Sequence, residues 1–193
     1  MKIIVSTLLI FALLLTTSII MGGNSFHERE EYDSEDNEFQ NYSFRQPGVA
    51  PVSNTYYVEE CGSCHFAYPP GLLPASSWGK LMKNLGNHFD ENAELNKNML
   101  DELTQYLVKN SADKSNFKRS KRIMRSLGKS DSPLRITETL YFVRKHDEIP
   151  YRMVSNTSEV RSFSHCTACH THAIRGYFNE HEVRIPGYGK WED

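Results

Sequence analysis

Apolar side chains are distributed very unevenly along the chain. After Met1 and Lys2 comes a run of 19 residues from Ile3 to Met21, IIVSTLLIFALLLTTSIIM, closed by Gly22-Gly23. One positive charge ahead of such a run is the layout of a secretory signal, and its length approaches the roughly 20 residues that span a bilayer. Residues 1–23 therefore read as an export signal or an uncleaved N-terminal membrane anchor, and no Ala-x-Ala cleavage site follows. Either way the remainder is exported. From residue 24 to about 55 the apolar periodicity disappears. Residues 28–38 (EREEYDSEDNE) hold seven acids and one arginine, the composition of a disordered acidic linker.

Helical periodicity begins at about residue 56 and continues to the end. Residues 57–65 form a short helix leading into the first cysteine pair. Ser76 or Ser77 caps a helix running to about Phe89, with Leu81, Leu85 and His88 on one face. Asp90 or Asn92 caps the next, whose stripe is Leu95, Met99, Leu100, Leu103, Tyr106 and Leu107. A helix from about Thr137 to His146 follows, and a last one spans the second cysteine pair. The prolines of residues 69–74 (PPGLLP) remove amide donors and make that segment a loop. No strand pattern persists. The fold class is mostly α, with one folded domain over 56–193.

Composition sharpens this division. The 193-residue chain is 39% apolar, and without its first 23 residues only about 35%, lean beside the roughly 45–50% of ordinary domains. Such a chain is partly disordered or fills its interior with something other than side chains. The net charge of −2 excludes a generally basic nucleic-acid binder. Residues 1–50 hold three of the 22 basic and seven of the 24 acidic side chains, so the rest carries 19 and 17, or +2. Eight of those basic residues lie within 109–129 (Lys109, Lys114, Lys118, Arg119, Lys121, Arg122, Arg125 and Lys129) against Asp113 alone. This stretch is a docking surface for an acidic partner or an ordinary solvated face.

All four cysteines stand in one motif twice over: Cys61-Gly-Ser-Cys64-His65 and Cys166-Thr-Ala-Cys169-His170. In an exported chain four cysteines usually mean two disulfides, but C-x-x-C-H is the attachment signature of a c-type haem. On a helical turn the cysteines at i and i+3 lie on one side and form thioethers with the two vinyl groups. The histidine at i+4 turns toward the iron. Zinc ribbons separate their cysteine pairs by about 15–20 residues, whereas 101 residues lie between Cys64 and Cys166. Two covalently bound haem c groups account for every cysteine and supply the missing apolar volume, and their propionates give the basic stretch at 109–129 a third reading, as counter-charge.

The opposite face of each iron decides between electron transfer and catalysis. His65 and His170 are the proximal ligands, and six histidines remain. His27 lies in the acidic linker. His165 and His172 flank the second motif too closely to reach the far face of the same haem. His88 and His146 each sit on an apolar helical face and are the candidate distal ligands, with His181 as competitor for the second haem. Met82, Met99, Met124 and Met153 read more simply as helix core. A peroxidase-like dihaem enzyme with one open haem, or a haem subunit of a membrane redox complex, are the competing readings.

Residues 61–74 (CGSCHFAYPPGLLP), 75–95 (ASSWGKLMKNLGNHFDENAEL), 132–146 (SPLRITETLYFVRKH) and 166–178 (CTACHTHAIRGYF) resemble the bacterial dihaem cytochrome c family of small periplasmic proteins, over roughly residues 56–186. The resemblance implies a compact helical fold, with an N-terminal lobe like a mono-haem cytochrome c and a second haem-binding C-terminal part. It implies bis-histidine ligation, with His65 and His88 on the first haem and His170 and His146 on the second, and low potentials. The implied partner is an oxygen-binding high-spin cytochrome c or a membrane b-type cytochrome. The expected role is electron carriage without chemistry of its own.

Overall fold

The computed structural model describes residues 46–192; the export segment, most of the acidic linker and His27 lie outside the described residues. Seven helices follow one another: α1 (Thr55–Cys61), α2 (Ala75–Met82), α3 (Lys97–Lys109), α4 (Lys118–Ser126), α5 (Leu140–His146), α6 (Tyr151–Ser155) and α7 (Cys166–Cys169). A two-residue hairpin closes the chain, β1 (Arg184–Ile185) against β2 (Gly189–Lys190), with Arg184 opposite Lys190 and Ile185 opposite Gly189. This pairing went unread in the sequence because two-residue strands show no alternation. Among the described residues no helix is long and apolar enough to cross a membrane.

The helices form where local signals coincide. Asn54 caps α1 by accepting from the Tyr57 amide at 2.8 Å, and Thr139 caps α5 through the Phe142 amide at 3.2 Å. The cap of α3 is Asn96, accepting from the Met99 amide at 3.0 Å, rather than Asp90 or Asn92. Leu95 therefore lies just outside the helix, packed beside Met99 and Leu100 on the same apolar cluster. The α2 helix is shorter than its periodicity implies. It starts after Pro74 and ends at Met82, and Leu85–Asn87 form a separate 3-10 turn. The Asn84, Gly86 and Asn87 cluster breaks it, each residue being a better turn former than helix former.

The main core lies where α1, α2 and α3 meet. Tyr57, Ala67, Leu73, Trp78, Met82, Leu103 and Leu107 are buried together, and burial of each large side chain contributes about 1.5–3 kcal/mol. Tyr57 and Tyr106 join α1 to α3 with ring centres 5.6 Å apart. The 69–74 segment is one 3-10 turn, Pro70–Leu72, buried throughout. Its carbonyls are answered by side chains and backbone from elsewhere. The Trp78 indole donates to Pro70, the Ser120 hydroxyl to Gly71 (both 2.8 Å), and the Ala112 amide to Leu73 (2.9 Å). A Cβ on Gly71 would come within 2.7 Å of Ser120 Oγ.

A second cluster, Val49, Leu72 and Ile123, ties α4 and the start of the described chain to this core. Linker character expected through residue 55 stops earlier. Val49 is wholly buried, and the Gly48 and Val49 amides both donate to the Gly176 carbonyl, at 2.9 and 3.3 Å. Gly176 has φ of 81°, and a Cβ there would lie 2.2 Å from the Val49 carbonyl oxygen.

Candidate functional site

The first cysteine motif runs off the end of α1. Cys61 is the helix's last residue, and Gly62 returns its amide to the Val58 carbonyl at 2.9 Å. Cys64 is exposed and His65 half-buried. The second motif is a single helical turn, α7, closed by the His170 amide donating to the Cys166 carbonyl at 2.8 Å. All four thiols are unpaired. Burial pushes the Cys61 thiol up to about 11 and the Cys166 thiol to about 12. Neither is a poised thiolate, as a redox-active dithiol would require.

Each motif histidine faces one of the two expected distal histidines. His65 and His88 have ring centres 6.1 Å apart and ring planes 26° from parallel. His146 and His170 are 6.2 Å apart with planes crossed at 76°. Two imidazoles bound on opposite sides of one metal through bonds of about 2.0–2.1 Å hold their ring centres about 6.3–6.5 Å apart. Both pairs come within a few tenths of an ångström of that spacing. His65 Nδ1 lies 2.8 Å from the Phe66 carbonyl and His146 Nδ1 2.9 Å from the Phe142 carbonyl. An Nδ1–H bonded this way leaves the Nε2 lone pair for a metal. The Nδ1 atoms of His88 and His170 are buried without a hydrogen-bond partner, so the carbonyl bond that orients His65 and His146 has no counterpart at their facing rings.

Electrostatics favour the neutral form of His88, His146 and His170. Burial, then His65 and Arg135, hold His88 below its ordinary range; burial and Arg119 do the same to His146, against a bond from Phe142 that raises it. His170 is driven down to about 3 by burial, with His146 and Arg119 adding to the effect. Neutral imidazole is the ligating form.

His88 arrives by a different route from the helical face expected. It lies beyond α2, in a tight turn where its amide donates to the Glu91 carbonyl at 2.7 Å and the Glu91 amide returns to His88 at 3.3 Å. The cavity it faces, of about 580 Å³, is lined by Cys61, Cys64, His65, Leu81, Leu85 and Trp78, and by Ser164, His165 and Cys166 from the second motif. This volume lies within the usual range for cofactor pockets. The Tyr68 hydroxyl donates to the Ser164 carbonyl at 2.7 Å while its ring sits 5.1 Å from His65, so one residue spans the two motifs.

The family model for dihaem cytochrome c matches residues 57–178. The chain belongs to the dihaem cytochrome c family. Two solved structures agree. A diheme cytochrome type c from Shewanella baltica is 42% identical, covering 72% of this chain and 98% of its own, with a TM-score of 0.60. A diheme cytochrome c from Rhodobacter sphaeroides is 45% identical, covering 67% of this chain and all of its own, also at 0.60. No curated protein matches. This dihaem cytochrome c is accordingly a mostly helical electron-transfer protein carrying two covalently bound haem c groups.

The remaining sequence candidates fall elsewhere. His165 is exposed at the rim of the first cavity, and His172 Nδ1 lies 3.1 Å from a Glu182 oxygen. His181 lies in the 3-10 turn Glu180–Glu182. Met82 and Met99 belong to the apolar core. Arg119 is turned inward, donating to the Tyr141 hydroxyl at 2.5 Å and the Phe178 carbonyl at 2.9 Å. Arg122 is half-buried, so the exposed basic face of α4 is formed by Lys118, Lys121 and Arg125, continued by Lys129. Sequence reasoning placed Phe142 on the helical face of His146 but missed Tyr68 and Phe163. Phe142 stacks on that imidazole at 3.8 Å, and Phe163 meets it edge-on at 5.7 Å. The i, i+4 spacing of Phe142 and His146 is what put the two on one face.

Proposed function

We propose that this dihaem cytochrome c is a low-potential carrier in which His65 and His88 ligate one haem iron and His170 and His146 the other, with no coordination position left open. The observation that carries the reading is the pair of facing imidazoles at each motif, 6.1 and 6.2 Å apart. The haem irons supply the one-electron couple. The protein's part is to hold two neutral imidazoles per site in fixed orientation, through the Phe66 and Phe142 carbonyls and the stacked Phe142 ring. Closed sites exclude substrate, and histidine in place of a methionine thioether lowers the potential. The shared wall at Ser164–Cys166 and the Tyr68 strut support short internal transfer. Export, the first 23 residues and the charged face of α4 support a periplasmic carrier, free or tethered, serving an oxygen-binding high-spin cytochrome c or a membrane b-type cytochrome.

Ligand-plane geometry makes this testable. Near-parallel imidazoles split the two iron dπ orbitals strongly, while crossed imidazoles leave them almost degenerate. Low-temperature EPR of the oxidised protein is expected to give two low-spin ferric signals: a rhombic one from the His65/His88 pair and a far more anisotropic one from the His146/His170 pair. His88→Met should change only the first and His146→Met only the second. A substantial high-spin ferric signal that binds cyanide quickly would overturn the closed-site reading.

A further inference from the structure

Arg119 is an unusual cation. Its guanidinium lies beneath the rings of Tyr141 and Phe178, 5.7 and 5.8 Å from their centres. Its hydrogen-bond acceptors, the Tyr141 hydroxyl and the Phe178 carbonyl, are neutral. Its Nε is buried with no partner, and among the described residues no carboxylate pairs with it. The backbone at Gly48 closes over it: the Arg119 amide donates to the Gly48 carbonyl at 3.0 Å, and a Cβ on Gly48 would meet Nε at 2.8 Å. One phenyl ring, that of Phe178, separates this charge from the second site, its centre 5.4 Å from the His170 ring. Guanidinium does not deprotonate in proteins, so the charge is permanent.

The first site has no equivalent. Arg135 stacks on Phe89 at 4.0 Å, but half its side chain is in water and a Glu138 oxygen lies 3.7 Å from it. An exposed, paired charge of that kind is screened. Lys145, beside His146 in the chain, is likewise answered by Glu180 at 3.8 Å.

We propose that Arg119 tunes the second site, raising the reduction potential of the haem held by His170 and His146 above that of the first, so that the second centre is reduced first. The inference rests on the ligand assignment made above. Reduction removes one unit of positive charge from a centre and changes no bond. A fixed cation that no protein carboxylate pairs, held behind one aromatic ring, therefore favours the reduced form of its neighbour, and low local polarity strengthens the effect. Arg119 touches neither iron and acts through the field, as a positioning charge rather than a catalytic residue.

The test is an optical redox titration of the haem-loaded protein, which resolves two one-electron waves. His146→Met raises one wave and so identifies the second centre; in the unsubstituted protein that wave should be the higher. Arg119→Gln should lower the same wave by at least tenfold in its redox equilibrium, about 59 mV for one electron, and leave the other in place. Arg119→Lys, which keeps the charge and loses the planar fork, should recover most of the shift. If Arg119→Gln fails to accumulate with both haems, Tyr141→Glu pairs the arginine without removing it and should lower the same wave. The proposal is overturned if the identified wave is the lower one, if it does not move in the charge-removing variants, if both waves move equally, or if Arg119→Lys falls as far as Arg119→Gln. Failure of the ligand assignment looks different: His146→Met then moves neither wave, and the Arg119 proposal falls with it.

Discussion

Phe89 and Asp90 have φ of 57° and 76°, the left-handed conformation at both central positions of the turn that carries His88. A two-residue turn of this kind favours Asn-Gly, and each non-glycine residue held there costs about 1–3 kcal/mol. Arg135 over the Phe89 ring and the contact of that ring with His88, centres 4.8 Å apart, offset part of the strain. Asp tolerates this conformation better than a β-branched residue. Asp90→Val is therefore expected to destabilise the protein by about 1–2 kcal/mol in denaturant titrations and to raise the high-spin fraction of the first centre alone. An unchanged optical spectrum together with an unchanged midpoint would show that the turn does not hold His88. The two motif histidines, His65 and His170, stand out at this scale because cysteine spacing names them. His88 was legible as a residue but not as a geometry, since turn strain leaves no periodic trace and the helical stripe through Leu81 and Leu85 pointed to it by a path the backbone does not follow.

Among the elements, α2 depends on a side chain from outside it. Pro74 occupies its N-cap position and offers no side-chain cap. Asp113 supplies one, accepting from the Ala75 amide at 2.8 Å and from the Ser111 hydroxyl at 2.7 Å. Burial alone would raise the Asp113 carboxyl, but the bonds from Ser111 and Ala75 outweigh it and hold the group below its ordinary value. A carboxyl lowered on folding stabilises the protein above the unfolded value of about 3.9, and that contribution disappears as the pH falls through the lowered folded value. Asp113→Ala should thus cost about 1–2 kcal/mol near neutrality, and the gap to the unsubstituted protein should close below about pH 4, measured by chemical unfolding across pH. A gap independent of pH would assign the loss to packing. The existence of α3 and α5 followed from their apolar stripes, while the caps that start them, Asn96 and Thr139, were not read. Nor was the start of α2, because the group that caps it lies 38 residues away and no local pattern announces it.

For the whole molecule, leanness in apolar residues is explained by what the fold encloses. Two macrocycles provide bulk that side chains would otherwise supply, and exposed Leu134, Tyr151 and Ile174 show how much apolar surface the polypeptide alone leaves uncovered. The charge run at 109–129 divides between interior and surface, with Arg119 pointing in and Lys118, Lys121 and Arg125 facing out. Neutralising Lys118, Lys121, Arg125 and Lys129 together should slow reduction of an acidic partner at low ionic strength and converge with the unsubstituted rate at high salt, followed by stopped-flow. Equal slowing at all salt concentrations would remove α4 as a docking face. Arg119 shows why this division could not be read from the sequence: its direction is set by Tyr141, Phe178 and Gly48, from three separate stretches of chain.

The wall that Ser164–Cys166 contributes to the first cavity also bears on how the protein is made. Synthesis delivers Cys61–His65 about a hundred residues before that wall exists. The amino-terminal half can receive its haem by then but cannot finish enclosing it. A chain truncated before Ser164 keeps Cys61, Cys64, His65 and His88 and is expected to attach one haem, but to be cut by proteases faster than the full chain, because the wall that Ser164–Cys166 gives the first cavity is missing. Equal resistance of the two chains would show that the first cavity closes without that wall.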